Sequence, residues 1–547
     1  MRRLLAAGAA IATASAALVA IVSTTAAAQP QAGARSQQAA QKLTWSKDCG
    51  EYTGYVPELR CADVTAPLDY AHPNGKKIKI KISRVQHTGK KYQGTLLINP
   101  GGPGGSGIPW AAVGSQRLDK NVAAQYDMIG FDPRGVGQST PSLNCKPHYF
   151  KAPRPDTVPK TRADEARNIG RAKSYAKACA EKYGRNVLKH INTRDTVRDM
   201  DTIRQALGQR KISYLGYSYG TYLGSAYATM FPSKVKRLVL DSMIGPNGIW
   251  YDDNIDQDYA FEGNFARFTD WIANNDATFK LGTSGDKIKK RWYGMRAKAA
   301  KKPIAGKIGA SELEDTYIQG GYADAYWPDL AKAMSDYLND GKTAALKTVF
   351  DTLGDSDGKA AENGYAIYSA VESRDAHWPR NWRKWHNDTL KVYQKAPFMA
   401  WNNAWYNAAS AFWAVPGQRP IWVHGSMRSK PYLFFQATND AATPYQGGLD
   451  MARRFPNAQL VVENGGHNHG VTLSGNTCLD GYLNAYLDKG TVPKSRGLID
   501  ATCKKLPDPG PGDFSILQPG TTATSKSSRV GVPAQSASSL LARGARP

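Results

Sequence analysis

The sequence predicts an α/β fold with a mostly parallel sheet and a largely helical cap inserted into it. Three observations carry that expectation. Strand-like and helix-like stretches alternate from about residue 76 to the 240s, the pattern of βαβ units. A mainly helical stretch over 244–420, holding most of the tryptophans, then interrupts them. Strand signals return after residue 420 and complete what the first half began.

Each element has its own warrant. "KIKIKISRV" (Lys77–Val85) alternates with period two, as a half-buried strand must when successive side chains leave opposite faces. "GTLLINP" (94–100) and "YDMIGFD" (126–132) are short apolar runs ending in turn residues. In "TVRDMDTIRQALG" (196–208) Val, Met, Ile and Leu recur at helical spacing, and Gly208 is the stop. "ISYLGYS" and "VKRLVLDS" supply two further apolar runs, so 42–243 reads as the first part of the core. Within the cap, "NFARFTDWIANN", "DLAKAMSDYLND" and "NAWYNAASAFWAV" read as helices whose tryptophans mostly pack helix on helix. "PYLFFQATND" (431–440) and "QLVVENGG" (459–466) then return the chain to the sheet, making 421–513 the second part of the core.

The two ends read differently. A basic Met1-Arg2-Arg3 head, an apolar Ala-rich run over 4–22 and the small-residue stretch Ala26-Ala27-Ala28 compose a signal peptide over 1–28. A run of that length could also anchor the chain in a bilayer, but its Ala and Thr content and the small-residue site favour cleavage. An Ala-, Gln- and Ser-rich leader or propeptide follows over 29–41, and a Ser-, Thr-, Gly- and Pro-rich tail, expected to be disordered, fills 514–547. The mature protein is therefore expected to be secreted, extracellular and monomeric. Cysteine usage agrees with export. Cys49, Cys61, Cys145, Cys179, Cys478 and Cys503 form an even set with no C-x-x-C pair, and nearest-neighbour pairing into three disulfides is expected.

The formal charge of +25 invites a nucleic-acid reading. Its basic residues are scattered, with a local concentration over 287–303, and no RNA- or DNA-binding motif accompanies them. A solvated surface loosely attracted to anionic cell wall fits better. Neither a nucleic acid nor, after signal cleavage, a membrane is expected as partner.

The chemistry centres on Gly216-Tyr217-Ser218-Tyr219-Gly220, a G-x-S-x-G stretch between strand-like "ISYL" and helix-like "TYLGSAYATM". That context is a nucleophile elbow: the serine occupies a strained strand-to-helix turn, and the flanking glycines let neighbouring backbones approach. The backbone N–H of Tyr219, at the positive end of the helix, would face a developing oxyanion. "NPGGPGGSG" (99–107) follows the strand "TLLI" and offers Gly102 as the second amide donor. A phosphate cradle is the rival reading of that loop, but no G-K-[ST] supports it. Asp440, at the end of the strand-like "YLFFQATND", is the candidate acid, and "LVVENGGHNHG" offers His467 and His469 as candidate bases. A histidine pair at i, i+2 is also a fragment of a metal site, yet no third ligand is evident in the sequence.

These motifs together resemble secreted bacterial tripeptidyl aminopeptidases, in the prolyl-aminopeptidase-like branch of the α/β-hydrolase serine peptidases. The resemblance rests on residues 192–242, "NPGGPGGSG", "FDPRGVGQS" and "HGVTLSGNTCLDGYLNAYLDKGTVP". It covers roughly 43–507 and is weakest in the tryptophan-rich insertion. It implies an α/β-hydrolase fold with Ser218 as nucleophile, Asp440 as acid and Gly102 and Tyr219 as oxyanion amides. His469 fits the register of the family's base; His467 would need two extra residues. The resemblance further implies release of N-terminal tripeptides, in some members with proline at the cleavage point, and no metal or organic cofactor. Substrates are then peptide or protein N-termini, and recognition of a free α-ammonium calls for carboxylates, of which "YDDNIDQDYAFEG" (251–263) is one source. Two other readings compete: an esterase or lipase using the same triad, and a catalytically silent binding protein.

Overall fold

Nine strands form one sheet in the computed structural model, which describes residues 41–427 and 429–518. The expected signal peptide, the leader up to residue 40 and the tail beyond 518 lie outside the described residues. The strands are β1 (Arg60–Pro67), β2 (Lys77–Val85), β3 (Gly94–Asn99), β4 (Tyr126–Phe131), β5 (Ile212–Tyr217), β6 (Val235–Asp241), β7 (Tyr432–Ala437), β8 (Ala458–Asn464) and β9 (Ala501–Lys504). They lie in the order β1-β2-β4-β3-β5-β6-β7-β8-β9. β1 and β2 pair antiparallel, as do β2 and β4, and every other pairing is parallel.

Composition explains which strands sit where. β5 and β7 are buried at every residue, because helices cover both faces of the parallel part, and their sequences are accordingly apolar runs rather than alternations. β2, at the antiparallel end, alternates exposed and buried residues over its first half. Separate apolar clusters fill the two faces: one gathers Ile80, Tyr222, Leu238 and Phe434, the other Leu96, Leu215, Val239 and Phe435.

Between β6 and β7 the chain is helical, beginning with the helix Tyr251–Asn274 and including Ala310–Tyr322 and Lys359–Asp375. These helices have their own core around Phe265, Trp292, Trp327 and Met334, which also takes in Ala441 and Ala442. The helical layer is thus packed onto the loop that carries Asp440.

Three disulfides close as the nearest-neighbour expectation has it: Cys49–Cys61, Cys145–Cys179 and Cys478–Cys503. The last joins the helix Thr477–Lys489 to edge strand β9. At the margins, Gln41 exchanges hydrogen bonds with the backbone of Thr65, and the amides of Ser515 and Leu517 donate to Asp329. Among the described residues no helix is long and apolar enough to cross a membrane.

Candidate active site

Parallel strands present their carboxyl ends along one edge of the sheet, where loops of open α/β folds gather ligands. β3 ends there in the glycine loop, β5 in Ser218, β7 in the turn to Asp440 and β8 in the histidine loop.

Ser218 separates β5 from the helix Tyr219–Met230 with φ 55° and ψ −128°. A positive φ on a residue with a Cβ costs about 1–3 kcal/mol, and the surroundings enforce it. The Ser218 amide donates to Asp241 O at 3.2 Å, while its carbonyl accepts from the amide and hydroxyl of Thr221 at 2.8 and 2.6 Å. The motif's glycines are sites of close approach. A Cβ on Gly216 would fall 2.4 Å from Gly220 O, and one on Gly220 would fall 2.7 Å from Asn99 O. Gly102, Ser218 and Tyr219 line a single pocket. Tyr219 is fixed from behind: its hydroxyl meets Thr193 Oγ1 at 2.6 Å, and the Thr193 amide donates to Asp375 at 3.0 Å. Burial pushes the Asp375 carboxyl up to about 7.

The structure joins Asp440 to His469. Nδ1 lies 3.0 and 3.1 Å from the two carboxylate oxygens, and the side chains are fully buried. Asp440 also accepts from the amides of Ala442 and Thr443 and from the Thr443 hydroxyl, at 2.9, 3.0 and 2.8 Å. A carboxylate only accepts, so this pairing assigns the proton to Nδ1 and leaves Nε2 as the basic atom. Nε2 is buried without a hydrogen-bond partner among the described residues, so the Ser218–His469 bond is not made in this state; such bonds often tighten only with substrate. The loop around His469 is pinned to the end of β6. Gly470 N donates to Ser242 Oγ at 2.8 Å, and Val471 N and Thr472 N donate to Asp241 at 3.0 and 2.7 Å. Desolvation raises the Asp241 carboxyl to about 6 despite those donors.

His467 is committed elsewhere. Its ring stacks on Trp327 at 4.8 Å, and Nε2 lies 3.1 Å from Asp324 Oδ2. Asp508 is 3.7 Å from the same nitrogen, so the structure supplies the acidic neighbours that a metal reading of the histidine pair lacked in sequence. Lys505 already pairs with Asp508.

Two carboxylates from different helices, Asp253 and Glu372, line this pocket. Trp250, Asp253, Asn254, Tyr322, Tyr368 and Glu372 wall the space above Ser218. Burial, then the charges of Asp256 and Asp252, raises the Asp253 carboxyl well above its ordinary value, and its Oδ2 has no hydrogen-bond partner among the described residues. Glu372, 4% exposed, is raised likewise by burial. Its contact with Asn254 Nδ2 is 3.5 Å long. Neither carboxylate takes part in an ion pair among the described residues. Asp253 belongs to the acidic stretch visible in sequence. Glu372 lies in the helix Lys359–Asp375, and nothing local in that helix sets it apart.

Known proteins agree with this architecture. A profile of the alpha/beta hydrolase fold matches residues 94–470. The chain is 41% identical to a tripeptidyl aminopeptidase of Streptomyces lividans over 488 residues, covering 88% of this chain and 89% of that protein. Serine protease Hip1 of Mycobacterium tuberculosis is 30% identical, with 85% and 92% covered. Carboxylesterase B of the same species is 32% identical, with 83% and 89% covered.

Proposed function

From the chain's membership of the alpha/beta hydrolase fold family, we propose a secreted serine exopeptidase that releases short peptides, tripeptides foremost, from free N-termini, with proline favoured at the cleavage point. His469 Nε2 takes the Ser218 proton as Oγ attacks the scissile carbonyl. The amides of Gly102 and Tyr219 hold the oxyanion, and Asp440 keeps the imidazole oriented and stabilises its charged form. The imidazolium then protonates the departing amine, and water repeats the sequence on the acyl-enzyme.

The observation that carries this reading is the pair Asp253, half-buried with its Oδ2 shielded from solvent, and Glu372, buried, which line the pocket of Ser218 without a cation partner among the described residues. Burying uncompensated carboxylates costs several kcal/mol. An α-ammonium entering the pocket offsets that cost; a neutral ester does not, which disfavours the esterase reading. The free volume there is about 50 Å³, room for an ammonium end. Secretion is supported by the three disulfides, which suit an oxidising compartment.

Incubation with a peptide bearing a free N-terminus and with its N-acetylated twin, followed by mass analysis, tests the proposal. Tripeptide from the first substrate alone is the expected result. Cleavage of both, or of neither while simple esters turn over, overturns it.

A further inference from the structure

The peptide unit between Ser218 and Tyr219 is gripped at both ends. On one side Ser218 O accepts from the amide and hydroxyl of Thr221. On the other, the Tyr219 hydroxyl meets Thr193 Oγ1 at 2.6 Å. Asp375 in turn accepts from the Thr193 amide at 3.0 Å and from the Thr193 hydroxyl. A peptide unit is planar, so holding its carbonyl oxygen and the Cα that follows sets the direction of the N–H between them. Tyr219 opens the helix Tyr219–Met230, and the first amides of a helix have no intrahelical acceptor. Its N–H is therefore a donor whose aim is set by these two grips.

With Asp375 ionised, the protons of this chain have a single order. A carboxylate only accepts, so the Thr193 hydroxyl donates to Asp375 and its oxygen accepts from the Tyr219 hydroxyl. Burial, then the charge of Asp375, raises the Tyr219 phenol well above its ordinary value, which keeps that donor protonated. Tyr219, Thr193 and Asp375 are all buried. Burying them costs desolvation that apolar side chains of the same shape would avoid. What a fully satisfied buried network supplies in return is one fixed geometry.

We propose that Thr193 and Asp375 are positioning residues for the oxyanion hole, aiming the Tyr219 amide by way of the Tyr219 hydroxyl. The inference rests on the acyl-transfer reading above, in which that amide and Gly102 hold the oxyanion. Precision matters most at this turn, because Ser218 has a φ of 55° and such a conformation persists only where its neighbours over-determine it. The cap gains a second task. The helix Lys359–Asp375 lines the pocket with Glu372 and ends one turn on at Asp375. The Tyr219 ring packs on Trp250, 5.9 Å between centroids, and Trp250 immediately precedes the helix Tyr251–Asn274 that carries Asp253. Both helices that supply the pocket's carboxylates thus bear on the residue that supplies the amide.

The test uses Tyr219→Phe, Thr193→Val, their double variant and Thr193→Ser, with a tripeptidyl amide bearing a free α-amine as substrate. Two ligands accompany it. In a tripeptidyl aldehyde the carbonyl carbon bonds to Ser218 Oγ while its π pair moves onto oxygen and the serine proton onto His469; the free tripeptide forms no such bond. Loss of one oxyanion donor costs about 100- to 1,000-fold in kcat, and a misaimed donor costs part of that. Tyr219→Phe and Thr193→Val are therefore each expected to lower kcat at least tenfold with KM within twofold. Each should weaken the aldehyde in proportion and leave the free tripeptide's affinity unchanged. The double variant should be no worse than either single one, and Thr193→Ser should stay within threefold of the wild type. A loss below tenfold in both single variants, losses that multiply in the double, or equal weakening of aldehyde and tripeptide overturns the positioning role while leaving the peptidase reading intact. A wild-type enzyme that ignores the amide and hydrolyses simple esters overturns the peptidase reading, and ester kcat in the same variants then decides the positioning role by the same criteria.

Discussion

Asp440 and Asp241 at the sheet's edge and Asp253 and Glu372 in the wall of the Ser218 pocket are held in opposite ways. At the sheet's edge Asp440 receives two amides, a hydroxyl and an imidazole, and Asp241 receives two amides and the Thr472 hydroxyl. In the cap Asp253 keeps an oxygen with no hydrogen-bond partner among the described residues, and Glu372 has only a long amide contact and the neighbouring Tyr368. A satisfied carboxylate is a finished structural part. One left short of donors is stable only because the rest of the fold tolerates it, and its deficit is available to a ligand. On the proposed reading the sheet's edge carries the chemistry, and these two carboxylates select the charged chain end.

The hardest break falls on the sheet side. Ser218→Ala and His469→Ala are each expected to lower kcat by a factor on the order of a thousand or more, and Asp440→Asn comparably. Steady-state rates on a tripeptidyl amide with a free α-amine measure this. A loss below tenfold for His469→Ala, with a large one for His467→Ala, would transfer the base to the other histidine.

Next comes the cap. Glu372→Gln and Asp253→Asn are expected to reduce kcat/KM for free-amine peptides by about 10- to 100-fold, the scale of one charge-assisted hydrogen bond. Each should leave thermal stability unchanged or raised, because each replaces a carboxyl whose ionised form burial disfavours with a neutral amide of the same shape. A fall in melting temperature without a change in amine selectivity would make these carboxylates ordinary structural groups and erase the contrast with Asp440.

A smaller effect separates the two histidines. His467→Ala removes the stack on Trp327 and the bond to Asp324, with an expected stability cost of about 1–3 kcal/mol and a kcat loss below about tenfold. Chemical denaturation and kinetics on the same preparation read the two quantities together.

The same contrast explains what could be read in the chain. The elbow was legible because its constraints are local: Gly216, Ser218 and Gly220 lie within five residues, and strand and helix flank them visibly. Asp440 and the histidine loop were legible as residues just past strands that reach one edge. The six cysteines paired with their neighbours, which spacing alone suggested. Glu372 was not legible, since its meaning comes from lining one pocket with Asp253, a relation between two helices that neither segment of sequence contains. The commitment of His467 to Asp324 and Trp327 was hidden for the same reason, because both partners come from the cap. Periodicity announces that cap helices exist but not which face of each covers Ser218.

The mildest test concerns Glu463, at the end of β8, between satisfied and unsatisfied in character. One oxygen accepts from Asn476 at 2.9 Å, yet burial raises its carboxyl from 4.5 to about 7. With the folded value above the unfolded one, the native state binds the extra proton between those limits, so stability falls as pH rises through that window. The full loss above it amounts to about 3 kcal/mol, reduced by whatever solvent reaches the group. Glu463→Gln keeps an acceptor for Asn476 and has no proton to lose. Its melting temperature relative to the wild type is therefore expected to climb by several degrees from pH 4.5 to pH 8, whereas a difference that is flat across the range would place Glu463 with Asp440 among the fully compensated carboxylates of the sheet.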